Sequence, residues 1–312
     1  MSTEIYNGKY MKLRDWIPLD KLDWAYLSCH PNAIHLLEKN LDKVNWRWLS
    51  YNPNAIHLLE KNLDKVNWRW LAENPNAIHL LEKNLDKLNE DGVFWGLYGV
   101  FWDLLRNPNI VPFLEKNLDK VVWWSLSLNR NAIHILEKNL ELVDLNSLSQ
   151  NPNAIHILEK NLDKVNWHSL SENPNAIHIL EKNLDKVNWY LLSSNPNAIP
   201  LLEKNLDKVD WDNLSENPNA IHLLEKILDK VNWYLLSSNP NAIPLLKKNL
   251  DKVYWKMLSN NLNIFTYDYE AMKNAMYKEG CFVEELMANR FHPKNMEKWD
   301  DWGFPTIHDD DD

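Results

Sequence analysis

Seven histidines occupy one equivalent position of a repeating sequence, and histidine is the commonest metal ligand among protein side chains. They are His35, His57, His79, His134, His156, His178 and His222. If each lies in its own helical unit, neighbouring rings are separated by one helix spacing, about 8–10 Å. Two ligands of one Zn²⁺ lie much closer, because each bond is about 2.0–2.1 Å long. We therefore expect no metal site and interpret these histidines as structural or solvent-facing.

The other ionisable side chains also lack the arrangements that catalysis needs. Glu60, Lys61, Asp64 and Lys65 recur almost unchanged in successive units, and their charges cancel. Such a pattern is typical of a solvated surface. The chain contains no Ser-His-Asp or Cys-His context, no GxxxxGK(S/T) sequence and no HExxH sequence. We predict no catalytic residue, no cofactor and no enzymatic activity.

Composition and charge bear on the partners and location of the chain. Its 312 residues are 45% hydrophobic, which permits a substantial core. The formal charge is −10 and no basic stripe is evident, so we expect no nucleic-acid binding. The sequence shows neither an apolar signal region nor a membrane-spanning run. Cys29 and Cys281 are too isolated to form a disulfide framework, and we expect an intracellular protein that is not secreted and binds no membrane.

The elements that position these side chains are tandem repeats. An Asn-Pro-Asn sequence recurs with its proline at Pro31, Pro53, Pro75, Pro108, Pro152, Pro174, Pro196, Pro218 and Pro240. Most steps are 22 residues, and the step of 33 residues from Pro75 to Pro108 indicates an 11-residue insertion. Residues 30–260 then form ten tandem units, with Arg130 and Leu262 replacing proline after Asn129 and Asn261. Residues 1–29 contain a preceding half-unit, which we expect to be an N-terminal cap.

Residues 52–73 show how the first helix of a unit is specified. Asn52 and Pro53 are typical of a helix start, because asparagine caps orphan N–H groups and proline needs no donor at the first position. An apolar stripe that ends at Leu63 predicts the buried face of this helix. Asn62 is expected to end the helix in the left-handed conformation.

A second, shorter helix follows in each unit. Asn67 predicts its N-cap, and Trp68 and Leu71 form one apolar edge over one to two turns. Neither helix can bury its face alone, so neighbouring units must stack. We therefore predict an all-α solenoid of 22-residue two-helix units, each with a longer α-helix and a short α- or 3₁₀-helix. Ten such units would span on the order of 100 Å.

Tryptophan recurs at one position of the second helix, which points to a packing role. We predict substantial burial between units for Trp46, Trp68, Trp123, Trp167, Trp189, Trp211, Trp233 and Trp255. Phe101 and Leu145 take the same place in two units and are expected to fill it.

Two parts of the chain depart from the repeat. The insertion near residues 89–99 contains Phe94, Trp95 and Tyr98 beside three glycines. It is either an aromatic loop that contacts a partner or an extra turn that packs between units. Residues 261–304 are expected to form a C-terminal helical cap, because the end faces of a solenoid need covering. Residues 305–312 are expected to be an acidic tail.

Two sequence features resemble those of a known group of proteins. The sequences AIHLLEKNLDKVNW and LSENPNAIHLLEKN, within a region from about Trp16 to Asn261, resemble short tandem repeats of giant nucleocytoplasmic large DNA viruses. The segment from Tyr267 to Phe304, which contains Phe-His-Pro and Trp-Gly-Phe, resembles the C-terminal segment of many such proteins. The architecture is similar to that of the leucine-rich repeat variant. The resemblance implies a viral protein in the host cytoplasm or the virion, without implying an activity.

Variation among units within the chain indicates a candidate partner surface. The two positions after the recurring tryptophan differ from unit to unit, whereas the leucine after them, from Leu49 to Leu258, does not change. Packing fixes buried residues, so we expect the variable positions to be exposed and aligned along the short-helix side. Together with Trp95 of the insertion, the candidate partner-binding residues are Arg47, Trp48, Arg69, Trp70, Trp102, Trp124, His168, Tyr190, Tyr234 and Lys256.

The residue types of this surface favour a function in protein binding. Relaxed selection on a bland surface would explain the variation equally well, but exposed aromatic side chains and arginine are favoured as interface anchors. We therefore predict a non-enzymatic scaffold or adaptor that binds a protein partner. A structural component of a virus particle or of its assembly is the alternative.

Overall fold

The computed structural model describes residues 10–84, 87, 104–115 and 121–279. Contacts divide these residues into two bodies, one with residues 13–266 and one with residues 10–12 and 267–279. The first body contains the tandem units, and regularly repeated helices confirm the predicted all-α solenoid. The second contains the helix Tyr269–Glu279, whose start is capped by Asp268 Oδ1 accepting from the Ala271 N–H at 3.0 Å.

Each unit that the structure describes in full contributes two short α-helices to the first body. The first helices, called isoleucine helices here, are Ile34–Glu38, Ile56–Glu60, Ile78–Lys83, Val111–Leu114, Ile133–Glu137, Ile155–Leu158, Ile177–Leu180, Ile199–Glu203, Ile221–Leu224 and Ile243–Lys248. The second helices, called tryptophan helices, are Trp24–Cys29, Trp46–Leu49, Trp68–Ala72, Trp123–Ser127, Leu145–Leu148, Trp167–Glu172, Trp189–Ser194, Trp211–Glu216, Trp233–Leu236 and Trp255–Leu258.

Shorter elements join these helices. The 3₁₀ helices are Leu19–Lys21, Pro31–Ala33, Leu63–Lys65, Pro152–Ala154, Glu159–Asn161, Leu228–Lys230, Pro240–Ala242 and Leu250–Lys252. Two strands, Met11–Leu13 and Phe265–Tyr267, pair in a two-stranded sheet.

The two helices of a unit have similar lengths, contrary to the prediction that the first is longer. In the second unit, Ile56–Glu60 and Trp68–Ala72 both contain five residues. The first α-helix is shorter than predicted because the Pro-Asn-Ala segment forms a turn or a 3₁₀ helix before it. Asn52 Oδ1 accepts from the Asn54 N–H at 3.0 Å and so caps this segment. The prediction that Asn67 is the N-cap of the second helix is confirmed, because its Oδ1 accepts from the Trp70 N–H at 3.1 Å.

The predictions for Asn62 and Leu63 were wrong for local reasons. Asn62 has φ −139° and ψ 50°, which is outside the left-handed region. Its side chain ends the helix instead, because Nδ2 donates to the carbonyl of Leu58 at 2.9 Å. Leu63 begins a 3₁₀ helix, so it leaves the 3.6-residue period of the preceding stripe and is 40% exposed.

A buried asparagine at the start of each unit after the first joins that unit to the preceding one. The Nδ2 of Asn52 donates to the carbonyls of Ser28 and His30 at 3.0 and 2.9 Å. The same two bonds recur at Asn74, Asn107, Asn129, Asn151, Asn173, Asn195, Asn217, Asn239 and Asn261. Because Asn107 bonds to Ala72 and Asn74, these bonds continue across the insertion.

A buried serine near the end of the tryptophan helix makes a second connection. Ser50 Oγ donates to the carbonyl of Trp46 at 2.8 Å and accepts from the backbone N–H of Asn67 in the next unit at 3.0 Å. Equivalent inter-unit bonds involve Ser28, Ser127, Ser149, Ser171, Ser193, Ser215 and Ser237. Ala72 and Leu105 occupy this position on either side of the insertion and cannot make the bond.

The recurring tryptophans are half-buried, with most of each side chain covered, which agrees with the predicted substantial burial between units. A lysine of the following unit covers six of these rings, with Nζ 4.6 to 4.9 Å from the ring centre in Lys43–Trp24, Lys65–Trp46, Lys186–Trp167, Lys208–Trp189, Lys230–Trp211 and Lys252–Trp233. The lysine stem shields the ring while the ammonium group stays near water. Leu145 is also half-buried, and Phe101 lies outside the described residues.

The array of units closes on itself within the first body. The backbone N–H of Asp23 donates to Ser259 Oγ at 2.8 Å, and Lys21 Nζ lies 4.8 Å from the centre of a Trp255 ring. Both contacts repeat those between consecutive units. The expected extended array, with a separate cap at each end, is therefore wrong in its arrangement, because the first half-unit is the neighbour of the last tryptophan helix.

The two ends of the array together form one composite unit. Directly after Asn261, the strand Phe265–Tyr267 stands where an isoleucine helix begins in the other units. Ile264 and Phe265 are 0% and 5% exposed and fill the places that alanine and isoleucine hold in other units. The first half-unit contributes the matching tryptophan helix, Trp24–Cys29. The last residues of the array therefore supply the first part of this composite unit, and the first half-unit supplies its tryptophan helix.

His30 replaces the buried asparagine at this closure. Its Nε2 lies 3.1 Å from the carbonyl oxygen of Asn261, and its Nδ1 accepts from the Asn32 N–H at 3.1 Å. This pairing requires the neutral ring with its proton on Nε2. Burial penalises the charged ring and lowers the pKa of His30 to about 4. A proton on Nδ1 would remove the acceptor that Asn32 uses.

We expect His30 to make the free energy of unfolding depend on pH. Between the ordinary pKa of 6.5 and about 4, the unfolded chain binds a proton at His30 that the folded chain does not. Acidification through this range therefore favours unfolding, by about 3 kcal/mol in total. His30→Asn should abolish this contribution, because asparagine holds the position elsewhere. Urea unfolding of both proteins across this pH range measures it, and parallel pH profiles would contradict it.

Trp189 and Lys208 test the energetic role of the covered rings. Because Trp189 is only half-buried, Trp189→Ala should lower the free energy of unfolding by about 2–3 kcal/mol, less than a fully buried aromatic ring would. Lys208→Met keeps an apolar cover and removes the charge, so it should cost about 1 kcal/mol or less. Urea unfolding of both variants gives the comparison. An unchanged stability of Trp189→Ala would show that this ring contributes no packing.

Candidate protein-binding surface

The position directly after the recurring tryptophan is exposed in each complete unit where the structure describes it. The candidate residues at this position are Arg47, Arg69, Trp124, His168, Tyr190, Tyr234 and Lys256, and their predicted exposure is confirmed. The candidates one position later, Trp48 and Trp70, are half-buried. Trp95, Trp102 and the insertion at 89–99 lie outside the described residues.

The unchanged leucine of the same helix explains this orientation. It is 0% exposed at Leu49, Leu71, Leu126, Leu148, Leu170, Leu192, Leu214, Leu236 and Leu258. Successive residues of an α-helix are rotated by about 100°, so the residue two positions before this leucine points away from the core. The residue one position before it lies at the edge of the core, which accounts for the half-burial of Trp48 and Trp70.

The tryptophan helices form the inner side of the closed array. Several pairs of neighbouring tryptophan helices contact each other extensively, whereas no pair of neighbouring isoleucine helices in the described residues does so. In a closed array, the elements nearest its centre have the shorter spacing. The variable residues therefore project from neighbouring helices along one continuous inner side.

Four aromatic side chains of this side form a continuous group, called the aromatic cluster here. Ring centres lie 5.8 Å apart for Tyr26 and Trp48, 5.3 Å for Trp48 and Trp70, and 6.1 Å for Tyr51 and Trp70. The guanidinium carbon of Arg47 lies 5.5 Å from the Trp70 ring centre. Three consecutive tryptophan helices thus present one apolar surface beside a cation.

A second aromatic group lies toward the end of the repeat array. Tyr234 and Tyr254 meet edge to face with their ring centres 5.5 Å apart, and they line an open groove of about 580 Å³. Nearby, the Asn232 Nδ2 donates to Asp212 Oδ1 at 3.0 Å. At the variable position, the units of this second group carry tyrosine or aspartate. The units of the aromatic cluster carry Arg47 and Arg69 at the equivalent position.

Sequence reasoning missed three aromatic residues of this surface. Tyr26 belongs to the half-unit, and the variable positions were predicted for the complete units only. Tyr51 and Tyr254 flank the tryptophan helices, at positions where other units carry residues such as Glu73 or Asn232. A comparison of every position across the units would have found all three, because tyrosine is unusual at each position.

The outer side of the array carries a repeated pair of side chains. His57 Nε2 lies 2.8 Å from Glu38 Oε1 of the preceding unit, and equivalent pairs are His79–Glu60, His134–Glu115, His156–Glu137, His178–Glu159 and His222–Glu203. Both partners are about half exposed, so each pair contributes little to stability. In the part of the chain that the structure describes, no group of histidine, cysteine or acidic residues could hold a metal ion.

Two titratable groups near the aromatic cluster are shifted toward their neutral forms. Burial raises the pKa of the Cys29 thiol, whose Sγ donates to the carbonyl of Tyr26 at 3.2 Å. Burial also raises the pKa of Tyr51, and the charge of Glu73 adds to this effect. Both shifts reduce the fraction of the nucleophilic anion at neutral pH.

Comparisons outside the chain add no functional assignment. Searches of protein-family models, curated proteins and solved structures gave no match. Among the helices in the described ranges, none has the length and apolar character needed to span a membrane. A function must therefore be inferred from the surface of the array itself.

Proposed function

We propose that this chain is a non-enzymatic scaffold or adaptor that binds a protein partner through the inner side of its closed array. One observation carries the proposal. The leucine of the tryptophan helix is fully buried in unit after unit, whereas the residue two positions before it is exposed and varies in type. The residue type at such a position can differ to suit a binding partner without disturbing the core.

The chemistry of the exposed residues supports this choice of side. Trp124, Tyr190 and Tyr234 are 38%, 58% and 48% exposed, so each presents much of a large ring to water. Tyrosine, tryptophan and arginine are enriched among residues that dominate binding energy. The two aromatic side chains bury much area with few rotatable bonds, and arginine adds several directed N–H donors. The outer side instead repeats histidine, glutamate and lysine, which offer little discrimination between partners.

The fixed spacing of the units also favours a binding role. Most tryptophan helices are held by the asparagine and serine bonds to their neighbours, as at Asn173 and Ser171. Side chains on such a support lose little additional freedom when a partner binds, which lowers the entropic cost of association.

The resemblance of the repeats to those of giant viruses extends this proposal to its setting. We propose a viral protein that acts inside the infected cell, in the host cytoplasm or in the virion. A structural role in the particle or in its assembly remains the alternative, and recovery of the protein from purified particles would favour it.

The proposal predicts that removing inner side chains abolishes partner capture without unfolding the chain. We expect the combined variant Arg47→Ser, Arg69→Ser, Tyr190→Ser and Tyr234→Ser to lose proteins that the unmodified chain captures from infected-cell extract. Affinity purification with mass spectrometry measures capture, and circular dichroism with thermal unfolding measures folding.

A second variant controls for the number of substitutions and for the use of serine as the replacement. Lys61→Ser, Lys83→Ser, Lys182→Ser and Lys204→Ser alter exposed positions that follow the glutamate of the isoleucine helix. This variant should capture the same proteins as the unmodified chain. Equal capture by the inner-side variant, in a folded state, would contradict the proposed surface.

A further inference from the structure

We infer that the aromatic cluster binds an acidic segment of a protein partner, with a carboxylate of that segment paired to Arg47. This inference rests on the proposed protein-binding function and adds the chemistry of the partner. It concerns one part of the inner side, formed by Tyr26, Trp48, Tyr51 and Trp70 beside Arg47.

The position of Arg47 suits carboxylate recognition. Its guanidinium carbon lies 5.5 Å from the Trp70 ring centre, and the side chain is exposed. Within the described residues, no carboxylate forms an ion pair with Arg47. Contact with an aromatic ring restrains a guanidinium and leaves N–H groups at its edge for a carboxylate, which it can bind with two parallel hydrogen bonds.

Two further cations border the same cluster. Arg69 holds the equivalent exposed position in the next unit. Lys256 Nζ lies 6.0 Å from the Tyr26 ring centre and 3.7 Å from Asp23 Oδ2, and its side chain is 71% exposed. The closure of the array therefore brings a cation from the last tryptophan helix to residues of the first.

The negative charge of the rest of the chain disfavours the binding of an acidic partner outside this region. The formal net charge is −10, so an acidic segment is repelled by the chain as a whole. Along the inner side, the equivalent variable positions farther along the chain carry Tyr190, Asp212 and Tyr234, which supply no cation. Cations and aromatic rings occur together at the aromatic cluster. We therefore place the binding site there and expect the partner segment to be negatively charged.

The rings specify a second property of the acidic segment. Trp48 and Trp70 are half-buried, and Tyr51 is 41% exposed, so the cluster offers apolar surface immediately beside Arg47. In a segment that alternates acidic with apolar side chains, the apolar side chains can pack on the rings and the acidic side chains can pair with the cations. A nucleic acid fits less well, because phosphate binding requires many cations and the chain is acidic overall.

A defined peptide tests this inference on the full chain. The probe is a short fluorescein-labelled peptide in which glutamate alternates with leucine, and fluorescence anisotropy measures its binding. We expect Arg47→Gln to weaken binding about tenfold, and Arg47→Lys to weaken it as well, since lysine cannot form the paired hydrogen bonds. Lys182→Ser, at an exposed position outside the inner side, should leave the affinity unchanged. Thermal unfolding verifies that each variant is folded.

Peptide controls separate charge from apolar contact. Replacing every glutamate of the probe with glutamine should weaken binding to the unmodified chain by at least about tenfold, and added salt should weaken binding of the acidic probe. Equal affinity for the glutamine peptide, or equal binding by Arg47→Gln, would overturn the inference. Tighter, Arg47-dependent binding of a single-stranded oligonucleotide would also overturn it, in favour of a nucleic-acid ligand.

The failure of this inference can be distinguished from the failure of the proposed binding function. If the unmodified chain captures a partner through its inner side but does not bind the acidic peptide, the partner chemistry is wrong and the scaffold function stands. If inner-side variants capture partners normally and the peptide does not bind, both fail.

Discussion

The array depends on the buried carboxamide that begins each unit. At Asn173, Nδ2 donates to the carbonyls of Ser149 and Asn151 at 3.0 Å each, and Oδ1 accepts from the Asn175 N–H at 3.0 Å. All polar atoms of this side chain are paired, which offsets the cost of burying them. Aspartate would lack the donors, and leucine would leave the carbonyls unpaired. The same bonds set the stacking of the units and hence the spacing of their inner side chains.

Closure extends this constraint to both ends of the array. Residues 236 positions apart are joined at Asp23 and Ser259, and closing a chain segment of that length costs about 5 kcal/mol of entropy. The contacts of an inter-unit interface offset this cost, including the lysine–tryptophan pair and the His30 bond. In an open array, each terminal unit would have one neighbour and would fray. Closure gives the first and last tryptophan helices two neighbours and places Lys256 beside Tyr26.

The sequence predicted the units better than their assembly. Spacing, Asn67 and the invariant leucines indicated stacked helices and exposed variable positions, because each depends on local periodicity and capping. The closure depends on a small rotation accumulated over many units, which local patterns do not reveal. One signal was available: the half-unit at Asp20 lacks a first helix, and the segment after Asn261 departs from the repeat where its own first helix should be. The aromatic cluster joins several units and depends equally on their stacking.

The distance between the ends of the array tests the closed arrangement most directly. After Cys29 and Cys281 are replaced by serine, spin labels on Asp20→Cys and Asn260→Cys can be compared with labels on Asp207→Cys and Ser194→Cys, the equivalent positions in consecutive units. The closed array predicts matching short distance distributions for the two pairs, as expected of neighbours about 10 Å apart. A distance between the first pair that approaches the 100 Å or so of an open array would contradict it.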